Sequence, residues 1–595
     1  MGSRAGDTIR DGERGRLSRR RFVAATAGLG LSPMAARLPS GRAHAQPAAG
    51  GPGRRGGSGP LRLLYWQAPT SLNPHLASGV KDLAACRLFY EPLAAFDPDG
   101  TLVPVLAAEA PTAQNGGVAR DGTWVLWRLK KGVAWHDGRP LTADDVVFTW
   151  EYAADPATAA TSIGLYQDLQ RVERVDDHAV RVVFRRPTPF WAEPFCGSGG
   201  MLIPRHLFAA YRGARSREAP ANLRPVGTGP FRFVDFRPGD LVRGELNPAY
   251  HVAGQPAFDR VEMKGGGDAA TAARAVLQAG EYDFAWNTQV EDDLLQRLER
   301  GGKGRVVIAP GSGIEHVRLN FSDPWREVDG ERSNPRVPHP LLTDPAVRSA
   351  LALLVDRGTI QEQISGRQGR ATANFLNVPA RFASPNTRWE FNPDRAGQVL
   401  DAAGWRRGGD GVRVKDGKRL RLLFQTSVNS PRQKVQALIK QACGRAGIEV
   451  ELKAVVASVF FSADPGNLDT TGHFTADLGM YAVLMTRPDP QRFMEQFVSW
   501  RIASRENQWA YPNTMRWRSD EYDRLWRAAE TEMDPARRAP LFIRMNDLVV
   551  QQGVVIPLSL RNEVSAVART LHGVHITPWD SHLWNIASWR RGPAA

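Results

Sequence analysis

The apolar positions of this chain fall into short runs that switch between a period of two and a period of three to four, with Gly, Pro and Asp between them. Leu61-Arg62-Leu63-Leu64-Tyr65-Trp66 reads as a buried strand where order begins. Residues 121–135, rich in Trp, Val and Leu, read as two strands before the turn His136-Asp137-Gly138-Arg139-Pro140. Thr142-Ala143-Asp144-Asp145 has a capping-box pattern, and Val146-Val147-Phe148-Thr149-Trp150 follows as a helix. Asp344-Pro345 opens a second helix, with Val347, Ala350, Leu351, Leu354 and Val355 on one face. Asn392-Pro393 opens a third, with Val399, Leu400 and Ala403 inward and Gly404 as its stop. Asp534-Pro535 opens a fourth, ended by Gly553, and Pro540 inside it is expected to kink or shorten it. Strands at 420–424 and 554–558 intervene, so the pattern is α/β, without an internal repeat.

With 595 residues the chain exceeds one small domain, and its 42% hydrophobic and 23% charged content is that of a globular protein. No run of ~18 uncharged apolar residues occurs, so the mature chain is not expected to enter a membrane. Cys86, Cys196 and Cys443 are odd in number and widely spaced, which points to buried thiols and leaves one disulfide open. The net charge of +15 overstates the working protein, because residues 1–45 hold nine arginines against three acids. The remaining +9 is scattered, and nucleic acid is not expected as a partner.

Ser18-Arg19-Arg20-Arg21-Phe22-Val23 resembles a twin-arginine export signal, with an Ala/Gly-rich stretch behind it and Ala43-His44-Ala45 as a small-residue cleavage site. Residues 1–45 are therefore read as a signal peptide and 46–60 as an unordered Gly/Pro linker. No cysteine precedes Cys86, so a lipid anchor is not expected, and the destination is read as the periplasm.

Patterns that catalysis needs are missing: no Gly-x-Ser-x-Gly elbow, no His-Glu-x-x-His helix, no Cys-x-x-Cys pair and no phosphate loop. Gly227-Thr228-Gly229-Pro230 reads as a tight turn before a strand at Phe231, and His136-Asp137 as structural. His572, His575 and His582 form the one notable His cluster, without Cys or carboxylate at a matching spacing. No catalytic residue, no cofactor and no metal ligand is expected.

Several of these segments together resemble the family 5 solute-binding proteins of ATP-binding-cassette importers, the peptide, dipeptide and nickel binders. The similarity runs through Tyr90-Glu91-Pro92-Leu93, Asp97-Pro98-Asp99-Gly100 and Pro104-Val105-Leu106-Ala107. It is strongest over the eighteen residues from Leu129-Lys130-Lys131-Gly132 through Trp135-His136-Asp137-Gly138 to Val146, and resumes at Pro225-Val226-Gly227-Thr228-Gly229-Pro230-Phe231 and Asn247-Pro248-Ala249-Tyr250. The resemblance implies a two-lobed periplasmic-binding-protein fold (type II, cluster C) with a hinge and an extra subdomain inserted in lobe I. By motif position lobe I takes residues 61–97 and 225–315 with a C-terminal return over 556–595, the subdomain 98–224, and lobe II 316–555. It also implies a monomer that closes on a small-molecule or peptide ligand and docks on a permease of two transmembrane subunits with cytoplasmic ATPases. A nickel or metal-chelate carrier, or a periplasmic chaperone or sensor on the same fold, stands as the alternative.

The segments that the family places on its cleft nominate Trp66, Gln67, Trp286, Asn287, Thr288, Asn374, Phe375, Tyr481, Met485, Thr486, Arg487 and Asp489 as ligand-binding. Here the chain departs from the peptide binders it resembles. Their acid for the ligand's α-amine falls on Thr486, their Trp on Val483, and the loop that carries their arginine for the carboxylate reads Thr426-Ser427-Val428-Asn429, with no Arg until Arg432. Binding of free dipeptides in the usual way is therefore not expected.

Overall fold

The computed structural model describes residues 55–77, 79–461 and 466–594. The expected signal peptide and the first part of the expected linker lie outside the described residues. The rest of that linker corrects the reading, since the Arg55 guanidinium donates to the Tyr250 and Val252 carbonyls at 2.7 and 2.9 Å and the Gly59 N–H to Asp259 at 2.9 Å. Asp259 and the carbonyls of 248–252 supply acceptors that a sequence window around residue 55 does not contain.

One sheet of eleven strands organises the chain. In chain order they are β1 (Pro60–Tyr65), β2 (Phe231–Arg237), β3 (Leu241–Leu246), β4 (Arg260–Gly265), β5 (Phe284–Ala285), β6 (Gly304–Leu319), β7 (Gly369–Ala371), β8 (Arg421–Ser427), β9 (Glu449–Val455), β10 (Leu478–Leu484) and β11 (Val555–Ala568). Their spatial order is β9-β8-β10-β6-β11-β5-β1-β4-β3-β2, with β7 beside β11. The two long strands β6 and β11 run antiparallel through the middle and belong to both halves. The pairing breaks between Ala309 and Gly313, where Pro310, Gly311 and Ser312 oppose Asn562. Gly311 is required there, because a Cβ would stand 2.2 Å from the Arg561 carbonyl oxygen. Two shared strands, with register shifts between Ala309 and Gly313 and again between Glu315 and His316, make a double crossover that can bend without unravelling either half.

Each half buries its own core. On one side Leu61, Leu63, Phe231, Phe284 and Trp589 pack together, and on the other Val317, Leu319, Leu422, Phe424 and Met480. A separate three-stranded sheet, Trp124–Arg128, Leu169–Asp176 and Ala179–Phe184, lies within residues 98–224. It shows one strand where two were expected over 121–135; residues 129–140 instead form turns with isolated bridges at Leu129 and Ala134. The capping-box helix is Ala143–Ala154, with the Thr142 N–H donating to Asp145 at 3.0 Å. The Asp-Pro and Asn-Pro starts hold at Pro345–Leu353, Pro393–Ala402 and Pro535–Gln551. In Pro393–Ala402 the buried positions are Ala396 and Leu400, while Val399 is half-buried. Pro540 does not shorten its helix, which runs to Gln551. Its missing N–H removes one hydrogen bond, and burial of Phe542, Met545 and Leu548 carries the helix on.

The Gly227-Thr228-Gly229-Pro230 turn and His136 form one unit. His136 Nδ1 accepts from the Gly227 N–H at 3.1 Å, and Nε2 donates to the Gly229 carbonyl at 3.0 Å. Burial pushes this imidazole down to about 4, so it is neutral and structural. All three cysteines are buried and free.

Candidate ligand cleft

The topology fixes where a solute can meet both halves. β1 and β5 are parallel, and β5 runs antiparallel to β11, so their C-terminal ends point toward the crossover. β8, β9 and β10 are parallel to one another, and the C-terminal residue of β10, Leu484, pairs with Gly313 at the crossover. The strand ends of both halves thus face each other across the hinge, the usual ligand position of open α/β sheets.

On the first half this edge carries Trp66, Gln67, Trp286 and Asn287. Trp286 stacks on Tyr65 at 5.3 Å between ring centroids, and Trp66 lies 6.2 Å from Trp286. The Trp66 indole N–H donates to the Asn287 carbonyl at 3.0 Å, while Asn287 adopts a positive φ of 53°. Gln67 is exposed. Thr288 is fully buried, and its N–H bonds to the Val564 carbonyl, so it anchors the strand end.

On the second half Val428 and Val456 stand just past the ends of β8 and β9 and Leu484 is the last residue of β10, each 53–59% exposed, with Phe461 nearby against Tyr481. Sequence reasoning missed these four. For Val428 and Val456 the signal was present: apolar residues one position beyond a strand end are exposed unless something covers them. Tyr481 is half-buried and lies 5.3 Å from His316, whose imidazole burial holds down at about 4. Thr486 is exposed.

The charges at the crossover compensate one another. Arg432 donates to Glu315 through Nη2 at 2.8 Å and Nε at 3.2 Å, and to Ser427 Oγ at 2.9 Å. Arg561 approaches the same carboxylate at 3.8 Å and donates to Gln289. The guanidinium nearest the strand end is therefore engaged within the protein.

Besides Thr288, four nominated residues are turned inward. Phe375 is 1% exposed and stacks on Phe493 at 5.1 Å. Asn374 donates to the Ser384 carbonyl at 2.9 Å and accepts from Asn546 at 2.8 Å. Met485 is buried. Asp489 accepts from Arg538 at 3.0 Å. Arg487 leaves the strand edge for the subdomain: a Cβ on Gly199 would stand 2.5 Å from its Nη2, and one on Gly197 3.1 Å from Nη1. These positions depend on contacts from residues 190–200, 374–387 and 538–546, which no local pattern around 485–489 reveals.

Among the described residues no three His, Cys, Asp or Glu side chains gather as a metal site. His572 bonds the Pro593 carbonyl at 2.8 Å, and His582 lies 3.4 Å from Glu563. No helix among the described residues is long and apolar enough to cross a membrane.

Comparison with known proteins meets this geometry. A family model described as bacterial extracellular solute-binding proteins, family 5 (middle), matches residues 101–504. The chain is 27% identical over 496 residues to the oligopeptide-binding protein AppA of Bacillus subtilis (strain 168), covering 82% of this chain and 83% of that one. It is 22% identical over 522 residues to the glutathione-binding protein GsiB of Escherichia coli (strain K12), covering 86% and 90%. Among solved structures, the substrate-binding protein CtaP of Listeria monocytogenes aligns with a TM-score of 0.73 at 21% identity over 90% of this chain and all of that one. NikZ of Campylobacter jejuni with Ni(L-His) aligns at 0.69 and 19% identity, with the same coverage. AppA of Bacillus subtilis with a nonapeptide aligns at 0.66 and 24%, over 91% of this chain and all of that one.

Proposed function

Since the chain belongs to the bacterial extracellular solute-binding proteins of family 5, we propose that it is the solute-binding component of an ATP-binding-cassette importer, holding a peptide or peptide-like solute between its lobes and delivering it to a membrane permease. The observation that carries this reading is the convergence of strand ends from both halves on a double crossover, with aromatic and aliphatic side chains at the edge. Contacts from both lobes stabilise the closed arrangement and draw the equilibrium toward it. The side chains assigned to the solute are Trp66, Gln67, Trp286, Asn287, Tyr481 and Thr486, with Val428, Val456, Phe461 and Leu484 as apolar walls. No group in this set performs acid, base or nucleophilic chemistry, and the protein is read as a carrier without a catalytic step.

The polar pattern selects among peptides. A free dipeptide needs an anion for its ammonium and a cation for its carboxylate, each desolvated. Thr486 supplies no charge, and Arg432 is already paired with Glu315. The solute is therefore a longer or end-blocked peptide, or a peptide-like molecule, whose apolar side chains supply the affinity. Isothermal titration against free dipeptides and the same sequences acetylated and amidated tests this; micromolar binding of many free dipeptides refutes it.

Residues 1–45 act in this reading as a twin-arginine signal that delivers the folded chain to the periplasm. Lobe I takes the strands before the crossover and the C-terminal return, residues 98–224 the inserted subdomain, and lobe II the region up to the second crossing near Arg561. Export assays with Arg19 and Arg20 replaced by Lys test the first point, with loss of periplasmic protein expected.

A further inference from the structure

A chain of five side chains with alternating charge runs across the seam between the 98–224 subdomain and lobe II. Glu530 pairs with Arg186 at 2.8 Å, Arg186 approaches Asp168 at 3.6 Å, Asp168 pairs with Arg492 at 2.8 Å, and Arg492 with Glu193 at 3.3 Å. Asp168, Arg186 and Glu193 belong to the subdomain; Glu530 and Arg492 belong to lobe II. Every bond of the chain except Arg186–Asp168 therefore crosses the seam. The acids are mostly buried, with side chains 17%, 15% and 5% exposed for Asp168, Glu530 and Glu193.

Beside it the loop after β10 fits a notch of glycines. A Cβ on Gly100 would stand 2.8 Å from the Pro488 Cβ, and Gly197 and Gly199 leave the space that the Arg487 guanidinium fills. Trp579 roofs the notch, its indole N–H bonded to the Pro98 carbonyl at 3.2 Å. Leu484 at the end of β10 and Thr486 in this loop lie on the cleft edge, and the same loop carries Arg487 and Pro488 into the notch. Movement of the cleft wall therefore moves the notch contact with it.

We propose that Arg487, Pro488 and the Glu530–Arg186–Asp168–Arg492–Glu193 chain form a clasp that holds lobe II against the subdomain, so that residues that never touch the solute set part of the closing equilibrium. This rests on the two-lobed, closing reading given above. The seam also holds a shared apolar core, with Trp127 and Phe195 of the subdomain in the same buried cluster as Met485 and Phe497 of lobe II; opening that parts the seam breaks these ion pairs, so their strength enters that equilibrium. Because half of the Arg186 side chain is in water, salt weakens the clasp. Arg487 and Arg492 are positioning residues in this scheme.

The test is fluorescence transfer within the full chain. Dyes go on Val175→Cys, exposed on the subdomain, and Leu452→Cys, exposed on lobe II; the native thiols are buried and silent. In 50 mM salt the unaltered protein should favour the short dye separation, and in 0.5 M salt the long one. Arg492→Gln should lower the closed-to-open ratio about five- to tenfold and flatten the salt response, and Arg492→Lys should recover part of it. If Arg492→Gln does not fold, Arg186→Gln, at the half-exposed end, replaces it. Equal separations and equal salt responses in variant and unaltered protein overturn the clasp. A tryptic casein digest is added as a solute probe. Movement with the digest but not with salt or variant overturns the clasp alone; movement with none of them overturns closing as well.

Discussion

Glu193 offers a prediction that can be worked through from its surroundings. Its side chain is 5% exposed, and burial raises its carboxyl from 4.5 to about 7. Arg492 opposes that rise, Asp489 adds to it, and Arg487 opposes it again. An acid whose folded pKa lies above its unfolded value binds its proton more tightly in the fold. Its contribution to stability is therefore complete below about pH 4.5 and is lost as the pH rises through about 7. At ~1.4 kcal/mol per pH unit the interval corresponds to about 3 kcal/mol as an upper figure. Glu193→Gln keeps the shape and a polar partner for Arg492 but cannot ionise. It should converge on the unaltered protein as the pH falls below about 4.5 and exceed it at pH 8 by about 1–3 kcal/mol. Urea unfolding midpoints at pH 4, 5, 6, 7 and 8 read the difference. Parallel pH profiles, or a variant less stable at pH 8, would show that the carboxylate is better accommodated than its burial implies.

Gly227→Ala should cost more than about 3 kcal/mol and give little soluble protein, because the added methyl would stand 1.9 Å from the Phe89 carbonyl oxygen; a normal urea midpoint would contradict this. Thr486→Asp restores an acid at the cleft edge and should raise affinity for peptides with a free N-terminus by about tenfold over their acetylated forms, read by calorimetry. Glu315→Gln releases Arg432 and should raise affinity for peptides with a free carboxylate relative to their amides, with a stability loss of about 1–3 kcal/mol. Unchanged selectivity in both variants would place the peptide ends away from these two positions.

The parts legible from the chain were those set by neighbours in sequence. Asp344, Asn392 and Asp534 each cap a helix through a side chain bonded to an N–H two or three residues on, so a window of four residues suffices. Gly227 and His136 were correctly read as structural because a Gly-Pro turn and a Trp-His-Asp-Gly turn need particular backbone shapes. The order of Arg55 was hidden, since its acceptors lie nearly 200 residues away. Arg487 and Asp489 looked like cleft charges because nothing local shows that Arg538 and the glycines near residue 197 are waiting for them. Pro540 does not shorten its helix for the converse reason: the local cost is real, and long-range burial carries the helix on to Gln551. Trp66, Gln67, Trp286 and Asn287 lie on one edge because strand ends adjoining a crossover share a position by topology.

The central claim is that two lobes close on a solute. Native mass spectrometry of the protein recovered from cells that produce it naturally, paired with X-ray scattering before and after the solute is removed by gentle denaturation and refolding, addresses it directly. The account predicts excess mass that dissociates as a peptide or peptide-like molecule, and a radius that grows on its removal and shrinks on its return. A bare polypeptide mass, with a radius unmoved by any peptide mixture offered, would contradict it.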